Sequence, residues 1–422
     1  MERAKPIQGK GKGGLLILAA VILALLLGET GWAEVCRNLS VSLYPFVPDQ
    51  GRFQRAIEAI WNARHPGVKL DFVSWNCYKE DPPADLDVFV YDGILLYDFL
   101  DKGYLLPLAE EDIQDVDDFI PCAMSACRVD GTAYALPQLL CTYLLFARKD
   151  DAVVSNVRNI CELYQVIGSI GGNGIPPADG EGLLLSLPGA ASKAFWVLET
   201  RIDVEQAYSE WVTFPDAGDL DANIVSYLQM LRDMAGDGQL SYVSPDGDAY
   251  IRGAWFAQGR GRAFIGFSET MSAMGDAAED MVFHRISLSD QEDIPMLYSD
   301  IASVNASISD DKRPLAVELV NVITGTQAMV ASLAAEQEGQ NPQYLLSARS
   351  SVYDVLAKDY PIYGDLKEIV SDPNPEGLAT RRPEGLATRR PEGLASRRCR
   401  VFVVRPGSRA LLEQAGEMIP LP

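Results

Sequence analysis

Residues 39–75 read LSVSLYPFVPDQGRFQRAIEAIWNARHPGVKLDFVSW. The first eight alternate and carry enough β-branched and aromatic side chains to form a strand. Phe53, Ile57 and Ile60 then recur at helical spacing, and Pro66-Gly67 stops the helix. VKLDFVSW (68–75) returns to strand, and ADLDVFVYDG (84–93) supplies another. ILLYDFLDKG (94–103) reads as a short helix with Gly103 at its end. Strand–helix–strand alternation at this spacing predicts a parallel α/β sheet. Ligands of such sheets bind beyond the carboxyl ends of the strands.

The grammar continues less cleanly through the rest of the 422 residues, a length that favours two or three domains. NICELYQVIGSI (159–170), SKAFWVLETRI (192–202) and ANIVSYLQMLRDMAG (222–236) read as helices. GRAFIGFSET (261–270) reads as a strand running into a turn, and IPMLYSDIASVN (294–305) as a strand before the helix PLAVELVNVITG (314–325). YLLSARSSVYDVLAKD (344–359) and SRALLEQAGEMI (408–419) look helical. Residues 375–398 are three copies of PEGLATRR or a near variant. An eight-residue period is far below the roughly 20 residues of a solenoid unit, so an exposed loop is expected.

Net charge is −23. Such a surface disfavours nucleic acid and anionic lipid as partners and favours a neutral or cationic ligand. MERAKPIQGKGKGG (1–14) is cationic, LLILAAVILALLLG (15–28) is apolar, and Gly31 and Ala33 have cleavage-site spacing. The apolar block is shorter than the roughly 20 residues of a membrane span. Residues 1–33 are therefore read as a signal peptide and the mature chain as secreted, free of the membrane after cleavage; an uncleaved anchor is the second reading. Seven cysteines leave at least one without an intramolecular partner, while Cys36, Cys77, Cys122, Cys127, Cys161 and Cys399 are candidates for bridges. His65 and His284 are the only histidines, which thins out Ser-His-Asp, Cys-His and His-rich metal chemistry together.

The remaining cysteine, Cys141, lies in AYALPQLLCTYLLFARKDD (133–151). Core packing and nucleophilic catalysis are both open for it, since free cysteines are commonly buried and a catalytic thiol needs a base and access. With no histidine nearby, the base would be a carboxylate brought in by folding, and Glu269 in GFSETM is a candidate. Tyrosines also recur beside aspartates at strand ends: Tyr44 with Asp49, Tyr91-Asp92, Asp248 with Tyr250, and Tyr298 with Asp300. Carboxylates with aromatic faces alongside suit a flat, protonatable or cationic heterocycle.

SLYPFVPDQGRFQRAI, HPGVKLDFVSWNCYKEDPPADLDVFVYDGI, GYLLPL, ALPQLLCTYLLFARK, DGDAYIRGAWFAQGRGRAFIGFSETM, DIPMLYSDIASVN and PQYLLSAR together resemble thiaminase I, the thiamine pyridinylase family, from about residue 40 to about 365. The resemblance implies an α/β type II periplasmic-binding-protein-like fold, two-lobed, with the ligand cleft between the lobes. Lobe 1 is expected at 36–145 and 292–340, and lobe 2 at 146–291 and 341–422. It implies a transferase that replaces the thiazole of thiamine with an organic nucleophile, an aromatic amine or a thiol. The family's nucleophile falls on Cys141 and its base on Glu269. Pyrimidine contacts fall on Tyr44, Tyr78, Asp92, Tyr250, Tyr298 and Asp300. Phe267 stands where the family has a tyrosine, so a hydrogen bond is lost although ring stacking can survive. No cofactor and no metal are implied, and a monomer is expected. The alternative is a non-catalytic extracytoplasmic binding protein for thiamine or a pyrimidine, which would have no use for Cys141 with Glu269.

Overall fold

Two sheets meet where the chain passes from one strand directly into the next. The computed structural model describes residues 37–170, 175, 177–186, 190–206, 221–371 and 400–401. The leader and the repeat lie outside the described residues. The chain opens with β1 (Arg37–Ser42), α1 (Gln50–Arg64), β2 (Val68–Phe72), β3 (Val88–Asp92), α2 (Leu96–Asp101) and α3 (Pro121–Ala126). A small hairpin, β4 (Arg128–Val129) and β5 (Thr132–Ala133), precedes β6 (Leu136–Cys141) and β7 (Leu144–Arg148). Next come α4 (Ile160–Ile167), β8 (Asp179–Leu185), α5 (Ala190–Glu205), α6 (Ala222–Ala235), α7 (Asp237–Ser241) and α8 (Ile251–Ala257). The strands β9 (Gly261–Gly266), β10 (Met281–His284) and β11 (Met296–Val304) follow, then α9 (Arg313–Thr324) and α10 (Thr326–Leu333). β12 (Leu346–Ser347), α11 (Ser350–Leu356), α12 (Ile362–Val370) and β13 (Arg400–Val401) end the described chain.

The helix α1 forms as its sequence dictates. Asp49 caps its start by accepting from the Arg52 backbone N–H at 3.2 Å. Phe53, Ile57, Ile60 and Trp61 form its buried stripe, and the helix stops before Pro66. Each of these buried apolar side chains contributes roughly 1.5–3 kcal/mol.

The larger sheet has the order β12-β6-β11-β3-β1-β2, with β13 also paired to β11. β1 is parallel to β2 and to β3, but β11 is antiparallel to both β3 and β6. The strands of the first 103 residues are parallel as read, and the later strands β11 and β12 make the whole sheet mixed. β11 follows β10 of the other sheet, and so it enters from the end at which β3 and β6 finish. The smaller sheet has the order β10-β7-β9-β8.

Residues 341–371, expected in the second lobe, belong with the larger sheet. β12 pairs with β6 (Leu346↔Leu140, Ser347↔Leu139), and the apolar side chains of α11 and α12 join the same core as α1. Arg349 is the tie. Its guanidinium is 2 % exposed, donates to the carbonyls of Thr324 (2.6 Å), Asp115 (2.9 Å) and Gln114 (3.0 Å), and stacks over Phe119 at 3.8 Å. A two-residue strand anchored by one arginine leaves little periodicity to read.

Among the described residues Cys122, Cys127 and Cys161, candidates for bridges, are free thiols, as is Cys141. Cys122 and Cys127 are buried in different apolar clusters and pack as small hydrophobes. Cys36 and Cys399 lie outside the described residues. Among the described residues no single helix is long and apolar enough to cross a membrane. Arg349→Ala strands the buried Thr324 carbonyl and leaves those of Gln114 and Asp115 to solvent, and is expected to destabilise the fold by about 1–3 kcal/mol, read as a lower denaturant midpoint in urea.

Candidate active site

Strand register assembles the site. Opposed residues of paired strands, and residues two apart along one strand, share a face. Cys141 at the end of β6 is opposite Tyr298 of β11, and Asp92 at the end of β3 is opposite Asp300. Cys141, Tyr298, Asp300 and Asp92 therefore emerge from one face, at the end where β3 and β6 finish and β11 begins.

The smaller sheet brings the carboxylate. Leu144 of β7 is opposite Gly266 of β9 in an antiparallel pair. Cys141 lies three residues before Leu144 and Glu269 three residues after Gly266, so both fall at the same end of that pair. Glu269 sits in the 3-10 turn Ser268–Ala273 and is 6 % exposed. The helix α8 begins with Tyr250 at its N-cap, with the Tyr250 N–H donating to Asp248 at 2.8 Å. It lies hard against this turn: a Cβ on Gly253 would come 2.2 Å from Thr270 Cγ2 and 2.8 Å from the Thr270 carbonyl oxygen. Glycine is what permits the approach.

On the other side of Asp92, Tyr78 donates its phenol proton to Asp92 Oδ2, and the Tyr44 and Tyr78 hydroxyls are 3.1 Å apart. Asp92 Oδ1 accepts from the Ile94 N–H at 3.0 Å, which fixes the carboxylate at the strand end. Phe46 packs edge-on against Tyr44 at 5.5 Å and is the exposed member of this group. Phe267 stacks on Tyr143 at 4.6 Å, and Tyr143 stacks on Trp196 at 4.1 Å. A ring without a hydroxyl serves that stack fully.

The electrostatics follow from crowding acids in a buried place. Burial raises Glu269 to about 7, and its Oε2 has no hydrogen-bond partner among the described residues. Asp92 is raised to about 6 by burial, against the opposing hydrogen bond from Tyr78. Asp300 is pushed well above the carboxylate range by burial and then by the charges of Asp92 and Glu269. The Cys141 thiol is likewise raised well above its ordinary value by burial, then by Glu269, Asp300, Asp92 and Glu199. The resting sulfur is thus protonated. Tyr250 feels Glu269, Asp300 and Cys141, and Tyr44 feels Tyr78, Asp300 and Asp92, so every expected site residue except Phe267 is electrostatically coupled to the cluster. Among the described residues no group of three or more His, Cys, Asp or Glu side chains is disposed to hold a metal ion.

Glu199 was missed by sequence reading. It lies on α5, accepts from the Tyr298 hydroxyl at 2.5 Å, and acts on Cys141. Its one signal was an acid four residues after Phe195 on the apolar side of a helix.

A Thiaminase-1 domain is matched over residues 142–289. Thiaminase-1 of Paenibacillus thiaminolyticus is 46% identical over 337 residues, covering 80% of this chain and 82% of that protein. The structure of Clostridium botulinum thiaminase I in complex with thiamin is similar with a TM-score of 0.82 at 39% identity, covering 90% of this chain and 98% of that one. T. maritima MalE3 bound to maltose, at 15% identity and a TM-score of 0.55 over 79% of this chain and 87% of its own, shares the fold alone. The chain belongs to the thiaminase I family of thiamine pyridinylases, thiamine-degrading transferases with a type II periplasmic-binding-protein-like fold.

Proposed function

We propose that this chain cleaves thiamine through a covalent adduct on Cys141, with Glu269 as the base, and passes the pyrimidinylmethyl group to an aromatic amine or a thiol. The observation that carries this reading is the meeting of Cys141 and Glu269 at one end of the β7–β9 pair, with the Glu269 oxygen unpartnered. The relative from Clostridium botulinum was solved with thiamin bound, which supports the same ligand here.

The cationic thiazolium enters beside Asp92 and Glu269 and offsets the negative charge that helps keep the thiol protonated. Glu269 then takes the Sγ proton, and the sulfur bonds to an electron-poor carbon of the aminopyrimidine. The bond between the bridging methylene and the thiazolium nitrogen breaks, its electron pair goes to nitrogen, and a neutral thiazole leaves. The acceptor bonds to the methylene carbon and loses a proton, the C–S bond breaks with its pair returning to sulfur, and the thiolate recovers its proton from Glu269. Base-activated nucleophilic catalysis of this kind divides one hard displacement into two easier ones.

Recognition uses the same protonation pattern. Asp300, held protonated, donates to a ring nitrogen, while Asp92, ionised above about 6, accepts from the exocyclic amine. Tyr44, Tyr78, Tyr250 and Tyr298 supply the ring faces around it, and Phe267 acts through its stack on Tyr143. The two sheets form the two lobes, the cleft closes over the ligand to exclude water, and the leader directs the chain out of the cytoplasm as a monomer.

Cys141→Ser is expected to abolish turnover while thiamine binding, followed by calorimetry, persists; full turnover in this variant overturns the covalent route. Glu269 must be ionised to act, and burial has raised it to about 7. The value of kcat/KM is therefore expected to fall about tenfold per pH unit below 7, and Glu269→Gln to lower turnover by orders of magnitude and flatten that limb. Gly253→Val drives a side chain into Thr270 and shifts the Glu269 turn against α8. About a hundredfold loss of kcat is expected from a displacement near 1 Å, measured by steady-state kinetics on folded protein.

A further inference from the structure

One face of α5 grips the strand that carries Tyr298 and Asp300. Phe195, Glu199 and Asp203 lie four residues apart and so share that face. The Phe195 ring stacks on Tyr298 at 4.2 Å. Glu199 Oε1 accepts from the Tyr298 hydroxyl at 2.5 Å. Asp203, 3 % exposed, accepts from the backbone N–H groups of Leu288 (2.7 Å) and Ile294 (2.9 Å), both on the segment that leads into β11. Three successive turns of one helix thus fix the lead-in, the ring and the phenol of a strand whose residue 298 faces Cys141.

Phe195 and Asp203 are ordinary packing and backbone-satisfying choices. Glu199 is not. The charged groups acting on it are the acids Asp203 and Asp293, and burial and those acids raise it well above the carboxylate range. An apolar side chain would cover the same helix face without that penalty. Among the described residues its compensating contact is the Tyr298 phenol, so its value lies where that phenol points.

We infer that Glu199 is a positioning residue for the transfer reaction: by accepting from Tyr298 it sets the tilt of that ring against the substrate beside Cys141. It is assigned no contact with the substrate or the reacting sulfur, and its effect on the transfer reaction is carried by the Tyr298 hydroxyl. The inference rests on the reading of Cys141 and Tyr298 as site residues. The two fail separately, because turnover retained by Cys141→Ser removes the nucleophile, whereas the variants below test the phenol contact whatever the nucleophile.

The test is a double-mutant cycle with thiamine and aniline as substrates. Glu199→Leu keeps the volume and removes the acceptor, so the protein is expected to fold while kcat falls about 10- to 100-fold, the size of leaving a buried donor unsatisfied. Glu199→Gln still accepts through its amide oxygen and is expected to restore most of kcat. In a Tyr298→Phe background, Glu199→Leu is expected to cause no further loss. Wild-type kcat in Glu199→Leu overturns the inference, as does an equal loss from Glu199→Leu in both backgrounds. If the leucine variant is insoluble, Glu199→Gln decides against Tyr298→Phe: a large loss in the first with none in the second overturns the inference, and the reverse order upholds it.

Discussion

A sulfur and a carboxylate from distant parts of the chain meet because two antiparallel pairings share an end. Leu144↔Gly266 aligns the segments that carry Cys141 and Glu269, and Tyr298↔Cys141 locks the same sulfur to β11. The residues between β6 and β7 belong to both arrangements, so a slip of one residue in either would turn Cys141 or Tyr298 to the wrong face. The rest of the molecule serves this alignment. Gly253 admits α8 to the Glu269 turn, α5 holds β11 from above, and Arg349 ties the C-terminal helices to the larger sheet.

Crowding acids without a cation is costly in the free protein, and under the proposed function that cost favours a cationic ligand. Asp92 and Glu269 bind protons more tightly folded than unfolded, with values of about 6 and about 7. The folded state is therefore favoured by these groups at the low end of the carboxylate range, and the advantage is lost as pH rises through their folded values. A ligand with a fixed positive charge reverses the penalty at neutral pH, and an uncharged pyrimidine does not. The same field that resists a resting thiolate yields once the thiazolium arrives. In the proposed reaction the Cys141 thiol is thus armed by its own substrate.

Much of this was legible in the sequence. Strand-helix-strand order in residues 39–75, the strand at 294–305 and the strand-to-turn at 261–270 are formed as read, because their periodicity comes from one-sided or complete burial. Cys141 and Asp92 stand at strand ends as read, whereas Tyr250 with Asp248 stands at the start of α8 and Glu269 in the turn after β9. The direction of β11 was not legible, since direction depends on which sheet the chain has just left. β12 was absorbed into a helix because two residues carry no period, and its partner β6 lies far back in the chain. Glu199 escaped because an acid in an apolar helix stripe reads as an exception, and its partner lies on another sheet. The cysteines misled for a plain reason: spacing does not distinguish a thiol that packs from one that pairs.

Peptide mass mapping after rapid mixing with thiamine, with the acceptor withheld and the reaction quenched in acid, tests the covalent step most directly. The pyrimidinylmethyl mass is expected on the peptide containing Cys141, and is expected to be absent in Glu269→Gln over the same interval. An unmodified Cys141 under conditions where thiazole is being released would contradict it.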